Sequence, residues 1–90
     1  MKKIFKYSLA FASGETLQVE LPAGSLVCRA KFSNSGTICI WAIVDPKAEK
    51  VSRYFRVLKT GDAVDDDLNF INSVDNPKDN STCHVFELLP

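Results

Sequence analysis

The chain has 90 residues, 46% hydrophobic and 24% charged, which excludes disordered and fibrous material and bounds it to a single domain over 1–90, near the lower size limit for a self-sufficient core. Eleven basic residues balance eleven acidic ones, so no global field draws the protein onto long nucleic acid or an anionic membrane. Its three cysteines, Cys28, Cys39 and Cys83, are odd in number and lack Cys-x-x-Cys spacing, and they are read as reduced core residues.

The opening Met1-Lys2-Lys3 does not lead into a signal peptide, because Lys6 interrupts the apolar residues and Ser13, Gly14 and Glu15 follow too soon. No stretch approaches the length of a membrane span, so the expected location is the cytoplasm. Residues 3–11 then alternate, with Phe5, Tyr7, Leu9 and Phe11 on one face and Ile4, Lys6, Ser8 and Ala10 on the other, which predicts a first strand. After a turn at Ser13-Gly14, Leu17, Val19 and Leu21 alternate with Thr16, Gln18 and Glu20. The two segments are expected to form a hairpin. Pro22-Ala23-Gly24 supplies the next turn, with Pro fixing φ and Gly free to take a positive one.

Residues 25–33 predict a third strand with Leu26, Cys28, Ala30 and Phe32 inward and Val27, Arg29 and Lys31 outward. Asn34-Ser35-Gly36 turns it into the run Ile38 to Val44, stopped by Asp45-Pro46. This run is continuous, β-branched and aromatic, and so is expected to be a central strand buried on both faces, Trp41 included. A polar loop over 45–50, with room for one helical turn, precedes a fifth strand at 51–58. There Val51, Arg53, Phe55 and Val57 share one face and Ser52, Tyr54, Arg56 and Leu58 the other. Lys59-Thr60-Gly61 ends it, and the four carboxylates of 62–67 place that segment on the surface. Strands at 68–74 and 82–89 flank a loop rich in Asn, Asp and Pro at 75–81. Seven short strands at this spacing predict an all-β domain, a compact antiparallel sandwich or a partly open barrel. Apolar residues on both faces of several strands in so small a chain predict a homo-oligomer.

No catalytic motif is present, and no enzyme activity is expected. Asp65, Asp66 and Asp67 lack the spacing of a Ca²⁺ loop and are read as solvated, so neither a metal nor a cofactor is expected. His84 is the one histidine, and neighbouring Cys83 points to the opposite face of its strand, which excludes a local Cys-His dyad. His84 is then an edge residue or a binding contact. Arg53, Tyr54, Phe55 and Arg56 put an arginine beside an aromatic on each face of one strand, a pattern suited to gripping phosphate and stacking a base. Arg29 and Lys31, sharing one face of another strand, could join them. The competing reading pairs these arginines with the loop carboxylates and packs the aromatics in the core.

Six short motifs in fixed order carry a resemblance. Trp41-Ala42-Ile43-Val44-Asp45-Pro46, Arg53-Tyr54-Phe55-Arg56-Val57, Thr60-Gly61 and His84-Val85-Phe86-Glu87, with Ile4-Phe5-Lys6-Tyr7 and Leu21-Pro22-Ala23-Gly24, resemble a family of small proteins widespread in bacteriophage genomes. Asp62 stands where that family usually has His after Thr-Gly, and residues 75–80 stand where it has a Gly-Gly turn, so no role resting on those family residues carries over. The resemblance implies a phage accessory protein acting in the host cytoplasm. The leading expectation is a non-enzymatic module that sequesters a small host-defence signal, a cyclic nucleotide first, through Arg53, Tyr54, Arg56, Arg29, Lys31 and His84. An inhibitor docking on a defence effector such as a CRISPR complex, through the acidic 62–67 segment, is one alternative, and a virion structural or assembly protein is the other.

Overall fold

The alternation of apolar and polar residues resolves into β1 (Lys3–Leu9), β2 (Thr16–Pro22), β3 (Leu26–Phe32), β4 (Ile38–Val44), β5 (Lys50–Lys59), β6 (Leu68–Asp75) and β7 (Thr82–Leu88). The computed structural model describes residues 1–9, 15–34 and 36–89, and no helix occurs among them. The strands form two antiparallel sheets, a three-stranded one in the order β1-β4-β3 and a four-stranded one in the order β2-β5-β7-β6. They face each other as an open sandwich, not a closed barrel. The expected extension of β1 to residue 11 and the turn at Ser13-Gly14 lie outside the described residues.

The expected β1–β2 hairpin is not formed. β1 pairs with β4, from Lys3↔Val44 to Leu9↔Ile38, and β2 pairs with β5, from Thr16↔Arg56 to Pro22↔Lys50, so consecutive strands enter different sheets. Each thereby lays its alternating apolar face against the opposite sheet rather than along its neighbour in sequence. The hairpins that do form are β3–β4 and β6–β7. In the first, Ser33 and Thr37 close the turn through their backbones and Gly36 takes φ +88°.

The core lies between the sheets. Leu9, Ala30, Phe32, Ile38 and Ile40 come from the three-stranded sheet and Leu17, Leu21, Phe55, Val57, Val74, Cys83 and Val85 from the other. Burying such side chains stabilises the fold by about 1.5–3 kcal/mol each before the entropy of ordering is subtracted.

Two irregularities shape the sheets. A register shift between Val27 and Arg29 makes Cys28 an extra residue, a β-bulge, so the inward set of β3 is Val27, Ala30 and Phe32. Leu26 and Cys28, expected inside, are therefore exposed, while Cys39 and Cys83 are buried as expected. A second shift between Phe70 and Asn72 turns Asn72 inward to the edge of β3. There its Oδ1 accepts from the Ala30 N–H at 2.8 Å and its Nδ2 donates to the Ala30 carbonyl at 3.0 Å. The side-chain amide completes the hydrogen bonding of β3 as another strand would, and it joins the two sheets at the β3/β6 corner. The opposite side, where β1 approaches β2, is held by far fewer contacts.

β4 is central as expected, but it is not buried equally on both faces. Ile38, Ile40, Ala42 and Val44 fill the core, whereas Cys39, Trp41 and Ile43 lie on the outer face, Trp41 and Ile43 only half-buried. Trp41 is thus a surface residue of a central strand. No helix among the described residues is long and apolar enough to cross a membrane.

Candidate functional site

Register places the outer face of the three-stranded sheet in three rows. Lys6 is opposite Trp41, which is opposite Arg29; Ser8, Cys39 and Lys31 form the next row; Ile4, Ile43 and Leu26 form the row on the other side. Cross-strand partners share a face and approach within ~5 Å at Cβ, so Trp41 is flanked by a cation on each side. The Lys6 ammonium lies 6.0 Å from the Trp41 ring centroid, within cation–π range. The side chains of Arg29 and Lys31 have no hydrogen-bond or ion-pair partner among the described residues, and none of the nine positions in the three rows is a carboxylate. The face therefore combines an aromatic plane with three positive charges. A depression of about 270 Å³ lies over Trp41, Lys6, Cys39, Lys31 and Asn34. A second, of about 330 Å³, continues over the edge of β3 beside Arg29, Lys31, Asn34 and Asp75.

The arginine-aromatic strand β5 lies on the opposite side of the molecule. Its two faces divide as the alternation requires, Arg53 with buried Phe55 turned inward and Tyr54 with Arg56 outward. All three nitrogens of Arg53 are engaged: Nε and Nη2 donate to the Glu87 carboxylate, Nη2 at 2.8 Å, and Nη1 donates to the Ser25 carbonyl at 2.7 Å. The bonded Glu87 carboxylate raises the guanidinium pKa above its ordinary value, outweighing the opposing effect of burial. Three of its five N–H groups are thus engaged, and Arg53 ties β5 to β7 and to the start of β3.

Arg56 donates from Nη2 to Thr16 Oγ1 at 2.8 Å and faces the exposed Asp65 at 3.5 Å, the loop pairing considered from sequence, while its Nε is buried without a partner. Beyond Phe55↔Glu87 the β5–β7 ladder stops, whereas β2–β5 runs on to Lys50 and Leu89 N–H reaches the Asp67 carbonyl. The sheet splits there, and the wedge holds a larger cavity of about 540 Å³ with Tyr54, Leu88 and Leu89 on its walls and the Arg53–Glu87 pair in it. That cavity is bigger than either depression over β3, but its charges already satisfy one another, which leaves it poorer in groups able to recognise a polar ligand.

His84 sits between two hydroxyls, Ser73 Oγ at 2.7 Å from Nδ1 and Thr60 Oγ1 at 2.9 Å from Nε2. It links β6, β7 and the turn after β5. Gly61, at φ +99°, makes that turn, from which residues 62–67 run over the outer face of the four-stranded sheet.

Of the six anticipated binding residues, Arg29 and Lys31 therefore share one face, while Tyr54, Arg56 and His84 lie on the other and Arg53 is tied up between the sheets. One ligand cannot touch them all. Sequence reasoning missed Trp41 and Lys6 at the first group. The outward position of Trp41 follows from the alternation Ile38, Ile40, Ala42, Val44, but the uniform apolarity of the run hid it, and Lys6 joins it only once β1 is known to pair with β4.

No curated protein and no solved structure matches the chain significantly. A family model does match, that of the domain of unknown function DUF7352, over residues 1–90. The match covers the whole of the sandwich just described, and the chain belongs to the DUF7352 family.

Proposed function

We propose that this protein is a non-enzymatic binding module that sequesters a small phosphorylated nucleotide, a cyclic nucleotide foremost, on the outer face of its three-stranded sheet. The observation that carries this reading is the Lys6–Trp41–Arg29 row with Lys31 beside it and no carboxylate among the strand positions of that face. The half-buried indole on the outer face offers a platform on which any base can stack, worth ~1–3 kcal/mol per base. The guanidinium and ammonium groups around it supply charge-assisted bonds to phosphate. Zero net charge does not weaken such a site, because a small ligand responds to the local field, and the carboxylates of residues 62–67 are on the other side of the molecule. Sequestration consumes no bonds and needs no catalytic group. Together with the resemblance to phage proteins, it gives the biological reading of a sponge for a host-defence signal, acting in the host cytoplasm as a homo-oligomer.

Inhibition of a defence effector by acidic mimicry ranks lower. In the 62–67 segment Asp62 accepts from the Lys59 N–H and Asp65 faces Arg56, leaving Asp66 and Asp67 as its uncommitted carboxylates. Duplex DNA presents a charge about every 1.7 Å along its axis, which two carboxylates do not imitate.

Calorimetric titration with a panel of cyclic di- and trinucleotides tests the proposal, with the fluorescence of Trp41, the chain's single tryptophan, as a second readout. At least one member should release heat and quench the indole, and Arg29→Ala or Trp41→Ala should weaken its binding by about tenfold to a hundredfold. Silence from every member in both measurements would refute it.

A further inference from the structure

We infer that the face binds two nucleobases joined through phosphate, one on each side of Lys31, rather than a single nucleotide; this rests on the reading just given. The two depressions at β3 are neighbours with a common wall. Lys31, Phe32 and Asn34 line both, so the exposed Lys31 side chain stands on the ridge between them.

Each depression alone is close to the lower bound of ~300 Å³ for a small-molecule site, while the pair taken as one trough falls well inside the usual range. A mononucleotide would fill one half and leave the ridge cation and the other half in water.

The chemistry of the halves differs in a way that fits two bases with a phosphate between. On one side Trp41 gives a stacking plane and Lys6 a flanking charge. On the ridge Lys31 is positioned for a linking phosphate, with Arg29 beside it on the same outward face of β3 and within the second half. On the other side Asp75 accepts from Thr82 Oγ1 through Oδ1, while Asp75 Oδ2 and the amide of Asn34, which lines both halves, have no hydrogen-bond partner among the described residues. A carboxylate oxygen and an amide lining the same half are suited to a base edge that offers more than one N–H, so the second base should carry an amino group, as guanine, adenine and cytosine do, whereas uracil offers a single N–H. The Asn72 amide lines the same half but is used up by Ala30 and by the Ser73 carbonyl, which makes the half rigid without adding a recognition group.

The test compares GMP and AMP with the matching linear and cyclic dinucleotides and with the diuridine dinucleotide, using the full chain and both readouts named above. The guanine and adenine dinucleotides should bind about tenfold or more tightly than the mononucleotides, and more tightly than the diuridine ligand. Asp75→Asn and Asn34→Ala should bring dinucleotide affinity down towards that of the mononucleotide, with melting curves checking that the variants fold. Equal affinity for mononucleotide and dinucleotide in the unaltered protein overturns this inference and leaves the single-nucleotide module standing. An absence of binding by all of them overturns both.

Discussion

A tryptophan in the middle of a sheet is ordinarily a packing residue, and truncating an aromatic in a core costs about 3–5 kcal/mol. Trp41 is half-buried on the outer face, against Lys6 and its neighbours and not against the second sheet. Trp41→Ala should therefore cost only about 1 kcal/mol, while Phe55→Ala, wholly buried between the sheets, costs about 3–5 kcal/mol. Urea denaturation of the two variants checks this, and equal losses would return Trp41 to the core. The arginines divide in a similar way. Arg53→Ala leaves a half-buried Glu87 carboxylate without its partner and should destabilise by about 2 kcal/mol after allowance for partial exposure. Arg56, whose carboxylate partner is exposed at 3.5 Å, should cost under about 1 kcal/mol. The thiols provide a third measurement: Cys28 on the β3 bulge is exposed, Cys39 and Cys83 are buried, and desolvation raises the Cys83 pKa. A thiol-reactive dye should label one cysteine quickly in the native protein and all three in denaturant. Rapid labelling of more than one native thiol would contradict the burial of the other two.

Within each strand, alternation predicts the facing correctly wherever the strand is regular. The faces of β1, β2, β5 and β7 follow directly from the spacing of Phe5, Tyr7 and Leu9, of Leu17, Val19 and Leu21, of Phe55 and Val57, and of Cys83 and Val85. It fails in β3, because a bulge inserts a residue without any mark in composition, and Leu26 and Cys28 move outward as a result. The position of Arg29 and Lys31 survives, since both follow the bulge. Asn72 was equally illegible: a polar residue at an inward position of β6 looks like a fault until the unpaired edge of Ala30 is in view. Replacing it with Ala strips both hydrogen bonds from Ala30 and should destabilise by about 1–3 kcal/mol. Amide exchange at Ala30 should accelerate with it, and an unchanged rate there would show that β3 does not depend on that amide.

For the molecule as a whole, composition and turn chemistry give the all-β class and the seven strands, but not the partnering. Pairing is decided by which apolar faces oppose each other once both sheets exist, and no local window contains that information. The candidate site shares this property. Arg29, Lys31, Trp41 and Lys6 come from three strands and meet only through register, which is why two of the four were named in advance and two were not. The same interleaving governs how the fold is reached. β1 finds its partner only when Ile38 to Val44 exists, and β2 only when Lys50 to Arg56 does. Such long closures place refolding in the range of ~milliseconds to seconds, which stopped-flow Trp41 fluorescence can follow. On a ribosome adding about 5–20 residues per second, the first two strands then wait for seconds as exposed, unpaired edges. In that interval the partners within reach are the same strands of neighbouring nascent chains, so the yield of folded protein should fall as its own rate of synthesis rises.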